Sequence, residues 1–108
     1  MTRGTLLTIG TTAINLAKAL RGITASIAAK NYGTLLNDQC REIQFKCDSG
    51  TIYLGDTSAV SSTDYGTKLL VGESKHLSDA ESNSLNLSEW WIVAAGAGAK
   101  LSVEFTTL

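Results

Sequence analysis

The sequence predicts an all-β chain: an antiparallel β-sandwich or jelly roll of about seven to nine short strands, with room for one short helix near the amino terminus. Three observations predict it. Short runs alternate apolar and polar side chains with a period of two. Gly, Asn, Asp and Ser clusters separate these runs at close spacing, in a chain with ten glycines and no proline. The alternation of strands with helical patterns that marks a nucleotide-binding fold is missing.

Taken in order, Met1–Gly10 reads as an amino-terminal arm that contains a strand, Thr5–Ile9. Ala13, Ile14, Leu16, Ala17 and Leu20 fit a short helix or a frayed strand. Ala19-Leu20-Arg21-Gly22 suits one helical turn stopped by glycine. Ile23–Ala29 fits either type, and Asn31-Tyr32-Gly33 reads as a loop. The strongest strand is Cys40–Cys47, with Ile43, Phe45 and Cys47 on one face and Glu42, Gln44 and Lys46 on the other. Asp48-Ser49-Gly50 turns the chain into Thr51–Leu54, which reads as the second arm of a hairpin closed by Gly55-Asp56. Thr67–Val71 and Ser74–Ser78 are shorter strands hinged at Gly72-Glu73. Trp90–Ala95 is a buried strand. Gly96–Ala99 turns it into an alternating run with Leu101, Val103 and Phe105 inward, a second hairpin by the same pattern.

The length of 108 residues suits one domain, 1–108, and is short for two. The formal charge of −1 lacks the basic excess that neutralises phosphates, so no nucleic-acid partner is expected. Charged residues make up 18% of the chain, below the roughly 25% usual for globular domains, so Ser and Thr must supply much of the polar surface. That weakly charged exterior suits a protein that packs against neighbours. The longest nearly apolar run, Trp90–Ala99, is half the ~20 residues of a spanning helix, so no membrane span is expected. The start of the chain does not read as a signal peptide, because Thr, Gly and Asn15 interrupt its apolar residues. Cys40 and Cys47, on one continuous strand, would face opposite sides roughly 23 Å apart. A disulfide spans at most about 7 Å between Cα atoms, so free thiols are expected.

No constellation announces catalysis, and the chain is expected not to be an enzyme. His76 is the only histidine. Ser74 and Ser78 lie at strand spacing from it, about 6.5 Å along one face, too far for the direct hydrogen bond of a triad. Asp79 and Glu81 follow without improving it, and His76 reads as a surface residue. One His and two Cys match no closed zinc spacing. The polar loop with Asp56 and Asp64 offers oxygen atoms but lacks the regular carboxylates of a calcium loop. Gly96-Ala97-Gly98-Ala99-Lys100 resembles a phosphate loop, but neither Gly-Lys-Ser/Thr nor a helix follows. No metal and no cofactor are therefore expected. Trp90-Trp91 is the most distinctive dipeptide. Adjacent residues on a strand face opposite ways, so one ring enters the core and the other meets a covering element or a partner. The candidate contact residues are Trp90, Trp91, Asp56, Asp64 and Tyr65, together with Leu6, Leu7 and Ile9 of the arm.

Several segments then line up as a set. They are Gly50-Thr51-Ile52-Tyr53-Leu54-Gly55-Asp56, Val60-Ser61-Ser62, Tyr65-Gly66, Leu70-Val71-Gly72-Glu73-Ser74 and Leu87-Ser88-Glu89-Trp90-Trp91-Ile92-Val93-Ala94-Ala95-Gly96, with Thr8–Leu20 at the amino-terminal end. This order resembles small virion structural proteins of tailed bacteriophages. The resemblance spans most of the chain; the doubled tryptophan and the Ile23–Ala29 insert depart from it. It implies a β-sandwich piece of a virion, made in the host bacterial cytoplasm. The foremost expectation is a capsid cement or decoration protein, a homo-oligomer bound to the major capsid protein. A head-tail connector or tail accessory protein is the alternative within a virion. A carbohydrate-binding β-sandwich module is the alternative outside one; it requires a concave aromatic site. No catalytic residue comes with the resemblance.

Overall fold

The computed structural model describes residues 2–20, 39–78 and 85–107. Nine strands, one short α-helix and one turn of 3-10 helix (Leu87–Glu89) occur among them: β1 (Thr2–Ile9), β2 (Ile14–Asn15), α1 (Leu16–Leu20), β3 (Gln39–Ser49), β4 (Ile52–Gly55), β5 (Thr67–Leu69), β6 (Ser74–Ser78), β7 (Leu85–Asn86), β8 (Trp91–Ala94) and β9 (Ala99–Thr107). Ile23–Ala29, the Asn31-Tyr32-Gly33 loop, Asp79 and Glu81 lie outside the described residues.

Two antiparallel sheets form, one ordered β1-β9-β3-β6 and the other β2-β8-β4-β5; the short β7 adds a further bridge to β3. β1 pairs with β9, β2 with β8, β3 with β6 and β4 with β5. The chain is thus one long antiparallel ribbon, doubled back at the 56–66 loop and rolled into a sandwich. Eight strands wound in this way form a jelly roll.

Both expected hairpins are corrected. β3 and β4 lie in different sheets, and so do β8 and β9. Their Gly-rich turns are arches that carry the chain across the core. A strand has two hydrogen-bonding edges. Those of β3 are occupied by β9 and β6, and those of β9 by β1 and β3, so neither offers an edge to its neighbour in sequence. The hinge at Gly72-Glu73 is a third arch, joining β5 to β6, and residues 10–13 make a fourth between β1 and β2. The registers place these four arches at one end of the sandwich. The 56–66 loop is at the other.

The alternation read from the sequence is otherwise realised. Ile43, Phe45 and Cys47 of β3 and Leu101, Val103 and Phe105 of β9 face the core with almost no exposed surface. Ile52, Leu54, Ile92 and Ala94 meet them from the second sheet. Burial of such side chains is the main favourable term in folding, at about 1.5–3 kcal/mol each. The expected amino-terminal arm is also corrected: β1 pairs with β9 over its whole length and sends Leu7 and Ile9 into the core. Helix α1 is capped by Asn15, whose Oδ1 accepts from the Lys18 amide at 3.3 Å. It buries Leu16, Ala17, Ala19 and Leu20.

The cysteines do not face opposite sides. The ladder between β3 and β9 slips at Cys40/Glu42, leaving Arg41 and Glu42 both exposed. This bulge reverses the phase of β3, so Cys40 joins Cys47 on the core face. Both thiols are free and buried. Burial raises both, that of Cys40 to about 11. A buried thiol with a raised pKa stabilises the fold below its unfolded value of 9.0, and that contribution is lost as pH climbs towards 11. Unfolding in urea at pH 7 and at pH 10.5 should therefore show an alkaline loss that Cys40→Ala reduces by roughly 2 kcal/mol. Equal losses in the two proteins would show that Cys40 ionises as readily when folded as when unfolded.

Candidate functional site

A cleft of about 420 Å³ opens between the edge strands β5 and β6, at the end of the sandwich that carries the 56–66 loop. The loop supplies Asp56, Thr57, Val60, Asp64 and Tyr65; β5 supplies Thr67; β6 supplies Lys75 and Leu77; and Trp90 completes the wall. Four candidate residues of the sequence, Asp56, Asp64, Tyr65 and Trp90, thus come together.

Local chemistry holds Asp64, Tyr65 and Trp90. The Ser61 Oγ accepts from the amides of Thr63 at 3.2 Å and Asp64 at 3.1 Å. The Ser61 amide donates to the Asp64 carbonyl at 2.8 Å. These bonds close a serine turn that fixes Asp64. The Gly66 amide donates to the Leu54 carbonyl at 2.8 Å, tying the end of the loop to β4. Val60 anchors its middle by lying directly on Gly55: a Cβ placed there would fall 2.8 Å from the Val60 side chain. Tyr65 is 44% exposed, with its ring centroid 5.1 Å from that of Tyr53. Trp90 is half-buried, and its ring lies 5.7 Å from that of Phe45. Its carbonyl accepts from the Leu16 amide at 2.9 Å, and the Asn15 Nδ2 donates to the Ser88 carbonyl at 2.8 Å. Helix α1 therefore locates the tryptophan. Lys75 shares the inward face of β6 with Leu77, since their partners on β3 are Phe45 and Ile43. An inward-facing charge on an edge strand also hinders pairing with another sheet.

The remaining candidates are placed elsewhere. Trp91 lies on the outer face of the second sheet, packed with Tyr53, Val60, Val93 and Ala13. Trp90 and Trp91 therefore face opposite ways, the first against the main core and the second in a satellite cluster. Leu6 is half-buried on the outer face of the first sheet, where its partner is Ser102. Leu7 and Ile9 are 0% exposed, and this corrects their candidacy: a side chain without surface cannot touch a partner.

His76 is exposed on the outer face of β6, paired with Gln44 and lining a shallow recess of about 190 Å³ with Glu42 and Glu104. That recess is lined by no serine, threonine or cysteine nucleophile except Thr106. Among the described residues no group of three or more His, Cys, Asp or Glu side chains is placed to hold a metal ion. No described helix is long and apolar enough to cross a membrane.

The chain matches no family model, no curated protein and no solved structure.

A second surface was missed in the sequence. The expected strand Thr67–Val71 ends at Leu69, and Leu70 and Val71 pass into the arch. They are 47% and 65% exposed; with Tyr65 they are the exposed large hydrophobics among the described residues. The turn beneath them is firmly built. The Glu73 amide donates to the Leu70 carbonyl at 2.9 Å, and Gly72 has φ +85°. The Glu73 carboxylate accepts from the Leu70 amide at 2.7 Å. The Gly72 amide donates to the Cys47 carbonyl at 2.8 Å, and the Cys47 amide to the Glu73 carbonyl at 3.0 Å. The only sequence signal for this surface was a pair of apolar residues directly before a Gly-Glu turn.

Proposed function

We propose that the protein is a structural component of a bacteriophage virion, a cement or decoration protein that binds the major capsid protein and stiffens the shell. The observation that carries this reading is the pair Leu70 and Val71, held out to solvent on a hydrogen-bonded turn. Exposing such side chains loses the stabilisation that burial would bring, and a rigid turn lowers the entropic cost of docking them. The resemblance of the strand-and-turn segments to small phage virion proteins supports the same reading. So does the winding of the ribbon, since viral capsid domains are among the users of the jelly roll. In this role the protein acts through contact and copy number: many weak attachments across a symmetric shell add up to stable binding.

The test is binding to purified empty shells, read by co-sedimentation and by the mass of the free protein. The expected result is saturable binding in high copy. The double change Leu70→Ser with Val71→Ser should weaken it by at least about tenfold while leaving folding intact, since both side chains are exposed. A protein that ignores shells overturns the cement role, and one that binds equally well after the double change overturns the assignment of the contact surface.

A further inference from the structure

We infer that the cleft between β5 and β6 is a binding site for a neutral saccharide. Its lining carries both signs of charge. Asp56 and Asp64 oppose an anion such as a phosphate, a sulfated glycan or a nucleotide. Lys75, on the same wall, opposes a cationic side chain. A neutral molecule rich in hydroxyl groups meets both signs without setting a charge against either. Carboxylate oxygens accept hydrogen bonds from hydroxyls, and an ammonium donates to them.

The rest of the wall suits the same ligand. Tyr65 and Trp90 present aromatic surface, and Val60 and Leu77 add apolar area. A sugar ring has one apolar C–H face and a polar rim, so it needs both kinds of surface at once. A lipid would need an apolar lining throughout. The volume of about 420 Å³ lies at the lower end of ligand sites, which run from about 300 to 1,000 Å³, and admits one or two sugar rings. The cleft opens to solvent rather than being enclosed.

Preorganisation strengthens the case. The loop that carries both aspartates is fixed at three points: the serine turn at Ser61–Asp64, the seat of Val60 on Gly55, and the bond from Gly66 to Leu54. The loop brings two carboxylates and the Tyr65 ring to a concavity that already holds the Lys75 amine of β6 and the Trp90 ring. The site is at the opposite end of the sandwich from Leu70 and Val71, so it stands or falls independently of shell binding.

The experiment is a glycan array carrying neutral, sialylated and sulfated oligosaccharides together with immobilised Lys/Arg-rich peptides, probed with the labelled 108-residue chain. Binding to the best neutral glycan is then measured in solution by the change in tryptophan fluorescence. The expected result is saturable binding of one or more neutral glycans and none of the acidic ones. Tyr65→Ala and Asp64→Asn should each weaken it by about tenfold or more. Both residues are exposed, so thermal unfolding should be little changed and the loss of affinity will not be a loss of fold. Silence across the neutral glycans overturns the proposal, as does binding that both variants retain. A response confined to acidic glycans or to the basic peptides also overturns it.

Discussion

Phe45→Ala is expected to remove about 3–5 kcal/mol of folding stability. The side chain is fully buried on the inward face of β3, the strand that holds the first sheet together by pairing with β9, β6 and β7. Its ring also backs Trp90, with centroids 5.7 Å apart. Truncation loses the transfer energy of the ring and leaves a void between sheets that cannot close without breaking ladders on both sides of β3. A domain of this size has about 5–15 kcal/mol in total, so the loss is a large fraction. Urea unfolding should show the midpoint falling with little change in slope. Phe45→Leu keeps most of the volume and should cost less than half as much. A loss under about 1 kcal/mol for the alanine variant would mean that Phe45 is not between the sheets.

Gly50→Ala should be the next most damaging change, at about 2–5 kcal/mol. Gly50 makes the sharp crossing from β3 to β4 with φ +77°, where a residue with a Cβ is strained by about 1–2 kcal/mol. A Cβ there would also meet the Ala99 Cβ at 2.8 Å, at the start of β9. Relieving that overlap means shifting one sheet against the other, which costs about 1–3 kcal/mol more. The Cys47 thiol donates to the Gly50 carbonyl at 3.2 Å, so the arch has little freedom to move away. Gly72→Ala is the matched comparison: φ is +85°, but nothing lies within 4 Å of the added methyl. It should cost only the backbone strain, about 1–2 kcal/mol. Thermal unfolding of the two variants side by side separates strain from crowding. Equal losses would show that the arch at Gly50 is not pressed against β9.

The jelly-roll winding bears on both functional proposals without deciding either. Lectins as well as viral capsid proteins use this architecture, and a fold hosts whatever site is built on it. The distinction has to come from surfaces. One end of the sandwich carries four short arches and the exposed Leu70 and Val71. The other carries the long loop, helix α1 and the cleft. Shell binding and glycan binding therefore probe different ends of one molecule. A variant that loses one activity should keep the other.

Local pattern determined much of this protein. The alternation of Ile43, Phe45 and Cys47, and of Leu101, Val103 and Phe105, reports a face buried on one side only, because side chains on a strand point alternately up and down. It identified the longer strands, these inward residues and the all-β class from the sequence alone; β2 was left open between helix and strand, and β7 was not read. The opposed directions of Trp90 and Trp91 follow from the same geometry. Partner choice was beyond its reach. A Gly-containing turn between two alternating runs reads the same whether the strands pair or cross to opposite sheets. The choice is made by which hydrogen-bonding edges distant strands have already taken, as β9 and β6 do for β3. Cys40 faced inward only because a bulge against β9 shifted the phase of β3. Leu7 and Ile9 looked like an arm because nothing near them in sequence pairs with their segment; β9, some ninety residues away, does. The cleft shows the same division. Asp56, Asp64, Tyr65 and Trp90 were legible as polar-loop and aromatic residues, but Lys75 and Leu77 joined them only when the rolled ribbon brought the edges of β5 and β6 together.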